Sequence, residues 1–219
     1  MRRKLINDLF SPARRGRLMT AWLLIVLLAA VDGCSFLKPA GGQEEEFLLR
    51  ADSSAGAVGG HPDRACIVRL LPVEVPAYLQ TRDMVMRTGA NTIVYAIYHQ
   101  WAEPLDAGIR RVLAEDLKSS PQIEEVLTDE PSPEHRKLYI LSIHILACEG
   151  NDVSGRGSVV FRAAWEISES GGKAVRIRGV FGAPQSHWNP GDYADLAGQL
   201  SRATAELSRV LARRISANH

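Results

Sequence analysis

The sequence predicts an α+β fold: one domain, a mainly antiparallel sheet packed by two helices, the second of them long and C-terminal. Three observations predict it. Residues 137–148 (KLYILSIHILAC) are the most strongly β-patterned run, apolar on both faces, as an interior strand must be. Leu105, Ile109, Val112, Leu113 and Leu117 recur at helical spacing, and so do Leu196, Leu200, Ala203, Leu207, Val210 and Leu211. Short glycine-containing loops at 88–91 and 170–173 join neighbouring strand candidates as hairpins. Several strands, a helix, three strands and a terminal helix is an α+β order.

Before the domain stands an export segment. Residues 18–31 (LMTAWLLIVLLAAV) are apolar but shorter than the ~20 residues a spanning helix needs. Arg2, Arg3, Lys4, Arg14, Arg15 and Arg17 precede the run, and Asp32-Gly33-Cys34-Ser35 ends it. A basic region, an apolar core and a small residue before cysteine make a secretory signal of residues 1–33. Its ending resembles the lipobox of bacterial lipoproteins, which implies that Cys34 becomes the acylated N-terminus. Asp32 departs from the small or apolar residue usual there. An uncleaved anchor and ordinary signal cleavage nearby are the alternatives, and the residues after Arg14-Arg15 fit a twin-arginine signal poorly. Several acyl chains, at ~0.8 kcal/mol per buried methylene, would hold the protein on a membrane. Residues 34–43 follow as a lipidated tether containing Pro39, Gly41 and Gly42, flexible enough to let a domain stand off a surface.

The domain, residues 44–219, opens with a strand at 44–50 (EEEFLLR). A Gly/Ser-rich loop at 51–63 carries His61, which is read as solvated. Residues 66–75 (CIVRLLPVEV) are β-rich, and Pro72 and Pro76 restrict them to an edge or to short pieces. Strands at 83–87 and 92–98 flank the first hairpin loop. Pro104 suits a helix start, Lys118 a helix end, and Pro121 soon follows. A short strand is expected at 123–127 in an otherwise polar stretch. His144 lies in phase with Leu138, Ile140 and Leu146 and reads as a sheet-face histidine with a hydrogen-bond partner. Residues 150–157 read as a loop, 158–168 and 174–181 as a strand pair with Arg176 and Arg178 outward. Asn189 or Asp192 can cap the final helix, about 193–215.

Bulk numbers narrow the function. The 219 residues carry a formal net charge of +1. The signal holds six basic and two acidic groups, so the remainder is about −3. That weakly acidic domain lacks the basic face of a nucleic-acid binder. Three cysteines include no CxxC and no Cys/His cluster, so no metal site is expected. In an oxidising compartment Cys66 and Cys148 could pair, with ~4 kcal/mol from closing so long a loop; the alternative is two separate buried thiols. No G-x-S-x-G elbow, H-E-x-x-H, phosphate loop or dinucleotide fingerprint is present, so no catalytic residue and no cofactor are assigned.

A family resemblance rests on residues 73–117. They contain Pro76, Tyr78, Leu79 and Arg87, then Trp101-Ala102-Glu103-Pro104-Leu105, then a helix ending RVLAEDL at 111–117. These blocks, with EEFLLR at the start and Leu207-Ser208-Arg209 in the last helix, resemble the ABC-type transport auxiliary lipoproteins of the PqiC family, associated with membrane integrity. The resemblance covers most of the domain, and WAEPL is its most specific part. It implies a lipoprotein on the periplasmic face of a Gram-negative outer membrane, serving an intermembrane lipid-transport system. The implied partners are an MCE-domain (PqiB-like) protein, an inner-membrane transport component and further copies of the chain in a ring. Ser35 after Cys34 fits sorting to the outer membrane. Tyr98 and Trp101, at a strand-to-helix junction, and Trp188, before the last helix, are the candidate partner-binding residues; the alternative is that the tryptophans close the core. A tethered lipid-binding carrier and, third, a periplasmic enzyme are the other functional readings.

Overall fold

A computed structural model describes residues 44–52, 66–129, 138–170 and 176–217. All belong to one compact unit, Gln43–His219. The signal, Cys34, the tether, most of the Gly/Ser loop with His61, and residues 171–175 lie outside the described residues.

Among the described residues nine strands form one sheet: β1 (Glu45–Phe47), β2 (Cys66–Leu70), β3 (Asp83–Gly89), β4 (Thr92–Trp101), β5 (Ile123–Leu127), β6 (Leu138–Asn151), β7 (Ser158–Glu169), β8 (Arg176–Gly182) and β9 (Ser186–His187). The helices are α1 (Leu105–Lys118) and α2 (Tyr193–Ala217). The fold is α+β as the sequence predicts. The sheet, however, is mixed. Antiparallel ladders join β3 to β4, β6 to β7, and β7 to β8 and β9, while β1 on β4, β2 on β5 and β6, and β3 on β6 are parallel.

The 14-residue β6 is the spine. From Tyr139 to Asn151 it pairs with β7 on one side, with a register shift at Leu146. On the other side β2 pairs from Ile67↔Leu138 to Leu70↔Leu141, an isolated bridge joins Glu74 to His144, and β3 takes over at Met86↔Gly150. Pro72 explains the interruption, because proline has no N–H to give a ladder. The chain keeps contact through Glu74, whose N–H donates to Ile143 O at 3.0 Å and whose carbonyl accepts from Ile145 N at 2.8 Å.

Both helices follow their apolar spacing. Leu105, Ile109, Val112, Leu113 and Leu117 of α1 are buried, as are Leu196, Leu200, Ala203, Leu207, Leu211 and Ile215 of α2. Asp192 caps α2, its carboxylate accepting the Asp195 N–H at 2.9 Å. Ser201, Thr204 and Ser208 are buried mid-helix, which they tolerate by donating to carbonyls four residues back.

Register overturns the disulfide expectation. Cys66 adjoins Ile67, which pairs with Leu138, whereas Cys148 lies ten positions further along β6. At ~3.3 Å per residue that is roughly 33 Å, against the ~4.4–6.8 Å between Cα atoms that a disulfide spans. The two cysteines form no disulfide with each other; both are buried, and Cys66 Sγ donates to Gln122 O at 3.3 Å.

Candidate docking surface

The most specific sequence blocks turn out to be internal staples. Tyr78, in a 3-10 turn (Ala77–Leu79), and Arg87 on β3 converge on Glu149 of β6. Arg87 Nε donates to Glu149 Oε1 at 2.6 Å, and Glu149 is only 2% exposed. That hydrogen bond pushes the Arg87 guanidinium above its ordinary pKa, while burial first and the Glu149 carboxylate second push the Tyr78 phenol up. The second staple joins WAEPL to the helix motif. Arg111 donates to Glu103 Oε1 at 2.6 Å and, through Nη2, to the carbonyl of Leu49 at 2.8 Å. Gly108 gives Glu103 room: a Cβ there would stand 3.1 Å from Glu103 Oε1.

His144 lies on a sheet face with a partner, as the sequence predicts. Its Nδ1 stands 3.0 Å from Glu74 Oε2, and Ser142 Oγ lies 3.4 Å from its Nε2. The imidazole thereby ties down the Glu74 bridge. Among the described residues no group of three or more His, Cys, Asp or Glu could hold a metal ion.

Two of the three candidate partner-binding residues are core residues instead. Trp101 is 4% exposed and Trp188 is 0% exposed. Trp188 donates its indole N–H to Asp192 O at 2.6 Å and meets Tyr193 edge-on. The Trp101 backbone N–H donates to Arg82 O at 2.6 Å, and Arg82 Nε returns a bond to Trp101 O at 3.2 Å. Neither indole can serve as a surface anchor. Tyr98 does reach solvent, at 38%. Its exposed neighbours are Val94, Tyr95 and Ile97, which the sequence reading missed. TIVYAIY at 92–98 reads as an apolar strand, and β-periodicity does not tell an interior strand from one at an edge. Among the described strands it lies at an edge, since β1 pairs only with His99–Trp101.

A second feature is a cleft of about 760 Å³ between the C-terminal ends of α1 and α2. Asp116, Ala205, Ser208, Ala212 and Pro121 line it. Asp116 accepts the Asp52 N–H at 2.9 Å, and burial holds its carboxyl above the ordinary carboxylate range.

The described residues form a mixed sheet with two helices, paired motifs inside and an exposed apolar strip on β4. The sequence matches the model of the ABC-type transport auxiliary lipoprotein component family over residues 47–212. The chain belongs to that family. Two solved structures share the fold. A crystal structure of an uncharacterized protein is 22% identical, with TM-score 0.61, covering 80% of this chain and 99% of that one. Protein XCC0632 from Xanthomonas campestris is 13% identical, with TM-score 0.62, covering 78% and 93%. No curated protein matches the sequence. Among the described residues no helix is long and apolar enough to cross a membrane.

Proposed function

We propose that the chain is a non-enzymatic periplasmic lipoprotein, held to the outer membrane through Cys34. It docks the end of a transport tube there, as a subunit of an MCE/ABC-type intermembrane lipid-transport system. Its partners on this reading are an MCE-domain protein and the inner-membrane component. The observation that carries it is the solvent-exposed strip Val94, Tyr95, Ile97 and Tyr98 on a fold of the transport auxiliary family. Exposed aromatic and branched side chains grouped on one strand are the composition of a protein-binding patch. A membrane tether raises the effective concentration at such a patch, so individual contacts need not be strong.

The test is cross-linking and affinity mass spectrometry from membranes, comparing wild type with Cys34→Ala. Recovery of an MCE-domain protein, with the variant lost from the outer membrane, is the expected result. A variant that stays membrane-bound with no transport component recovered overturns the reading. The helix–helix cleft favours a second reading, a tethered lipid carrier, for which the purified chain would release extractable lipid.

A further inference from the structure

The face of the sheet turned away from the helices has a chemistry of its own. Along β7, Val159, Phe161, Ala163, Trp165 and Ile167 are buried, so Arg162, Ala164 and Glu166 alternate onto the opposite face. Register carries that face into β8: Arg162 stands beside Gly182, Ala164 beside Val180 and Glu166 beside Arg178. Glu166 is matched by Arg176, whose Nε lies 3.1 Å from its Oε1. Arg162 and Arg178 are exposed and make no hydrogen bond or ion pair with a described residue. Between them Val180 is 64% exposed, and its neighbours Ala164 and Gly182 are small.

Two uncompensated guanidinium groups on a domain of net charge about −3 mark a local reversal of sign. Arg162 and Arg178 stand four residues apart in register, roughly 13 Å at ~3.3 Å per residue. That spacing suits an array of anions better than a single one. The low side chains between them leave the face flat, with one apolar group at its centre. A phospholipid surface has this pattern: a plane of phosphates with hydrocarbon just beneath. The chain is long enough to lay the face there. Residues 34–45 span up to ~40 Å at ~3.6 Å per residue. From β1 to β8 is five ladder steps, roughly 24 Å at ~4.8 Å each. Tethering makes even a weak contact intramolecular.

We propose that the β7–β8 face lies on an anionic phospholipid surface, Arg162 and Arg178 on headgroup phosphates and Val180 at the acyl boundary. This contact presupposes the lipid anchor at Cys34 and adds what an anchor alone leaves open, the orientation of the domain.

The experiment uses the lipidated chain reconstituted into vesicles of phosphatidylcholine, alone or with an equal part of phosphatidylglycerol. Val180→Cys is labelled with a water-soluble maleimide, and the modified peptide is read by mass spectrometry. Labelling should slow roughly tenfold when phosphatidylglycerol is present, since basic groups at an anionic surface bind in that range. Ala194→Cys, exposed on α2 across the sheet, should label at one rate in both. Arg162→Gln/Arg178→Gln, with circular dichroism unchanged, should restore the phosphatidylcholine rate at position 180, and so should high salt. Equal rates at position 180 in the two lipids overturn the inference. So do protection that survives the double glutamine variant, equal slowing at position 194, and protection found in native membranes but not in vesicles, which would assign the face to an acidic protein. Flotation separates the two readings. A chain that floats with the anionic vesicles but not with phosphatidylcholine alone fails the anchor and keeps the face.

Discussion

Arg87 on β3 and Glu149 on β6 meet at 2.6 Å, with the carboxylate sealed from solvent and the guanidinium about one-third exposed. Their strands touch in a short parallel ladder of only two register pairs, so the ion pair fastens the hairpin of β3 and β4 to the spine.

Arg87→Met strands a buried carboxylate, and breaking one side of a buried pair costs about 3–5 kcal/mol. Arg87→Met/Glu149→Met removes the stranded charge and should recover most of that loss. Urea denaturation of the two variants checks this. Equal losses in both would show that packing, not charge pairing, holds the hairpin.

Gly157 should not accept a side chain. A Cβ there would stand 1.9 Å from the carbonyl oxygen of Trp188, a backbone atom that cannot rotate away. Gly157→Ala is expected to cost roughly 3 kcal/mol by forcing a backbone shift, and to red-shift the Trp188 fluorescence. Alanine at Gly155, with open space around it but a φ of 70°, should cost about 1–2 kcal/mol and leave the emission alone.

Asp116 should make stability fall as pH rises. Burial raises its carboxyl pKa in the folded chain. Its contribution is therefore fully present below the unfolded carboxylate pKa, ~3.9. That contribution is lost as pH climbs through the higher folded value. Asp116→Asn keeps an acceptor for the Asp52 N–H and removes the half-buried charge. The variant should melt higher than wild type at pH 7, and the two should converge in acid. A constant difference from pH 3 to pH 7 would remove Asp116 as the titrating group.

The thiols should be inert and separate. Burial pushes the Cys148 thiol up, and Cys66 is also fully covered. Thiol reagents should label both only in denaturant, and a reducing agent should leave the melting temperature unchanged.

Trp101 and Tyr98 should part company on substitution. Trp101→Ala empties the core and should cost about 3–5 kcal/mol. Tyr98→Ala, at a solvent-facing site, should stay within about 1 kcal/mol. A partner-binding defect, measured by pull-down, should follow Tyr98 while the chain remains folded.

Much was legible from local pattern. Apolar spacing placed both helices, and Asp192 was readable as a cap. The hairpin around 88–91, the strand at 123–127 and the β-pattern of 137–148 also came through, though β6 runs on to Asn151 where a loop was expected. The family motifs were readable as motifs. Their work was not: nothing in Tyr78, Arg87, Glu103 or Arg111 says that two pairs of them close onto buried or half-buried partners far along the chain. Nothing in the sequence marks Glu149 as buried, because a glutamate in a strand ordinarily faces water.

By itself the sequence determined the elements, their order, the fold class and the family, since periodicity, caps and turn residues act over a few positions. Tertiary structure alone decided which strands run parallel, that Cys66 on β2 pairs at one end of β6 while Cys148 lies near the other, that Trp101 and Trp188 belong to the core, and that among the described strands nothing covers the outer edge of Thr92–Tyr98. The physical reason is that burial and edge exposure depend on which distant segment arrives alongside, and pairing between strands is set by the whole sheet rather than by any residue's neighbours in the chain.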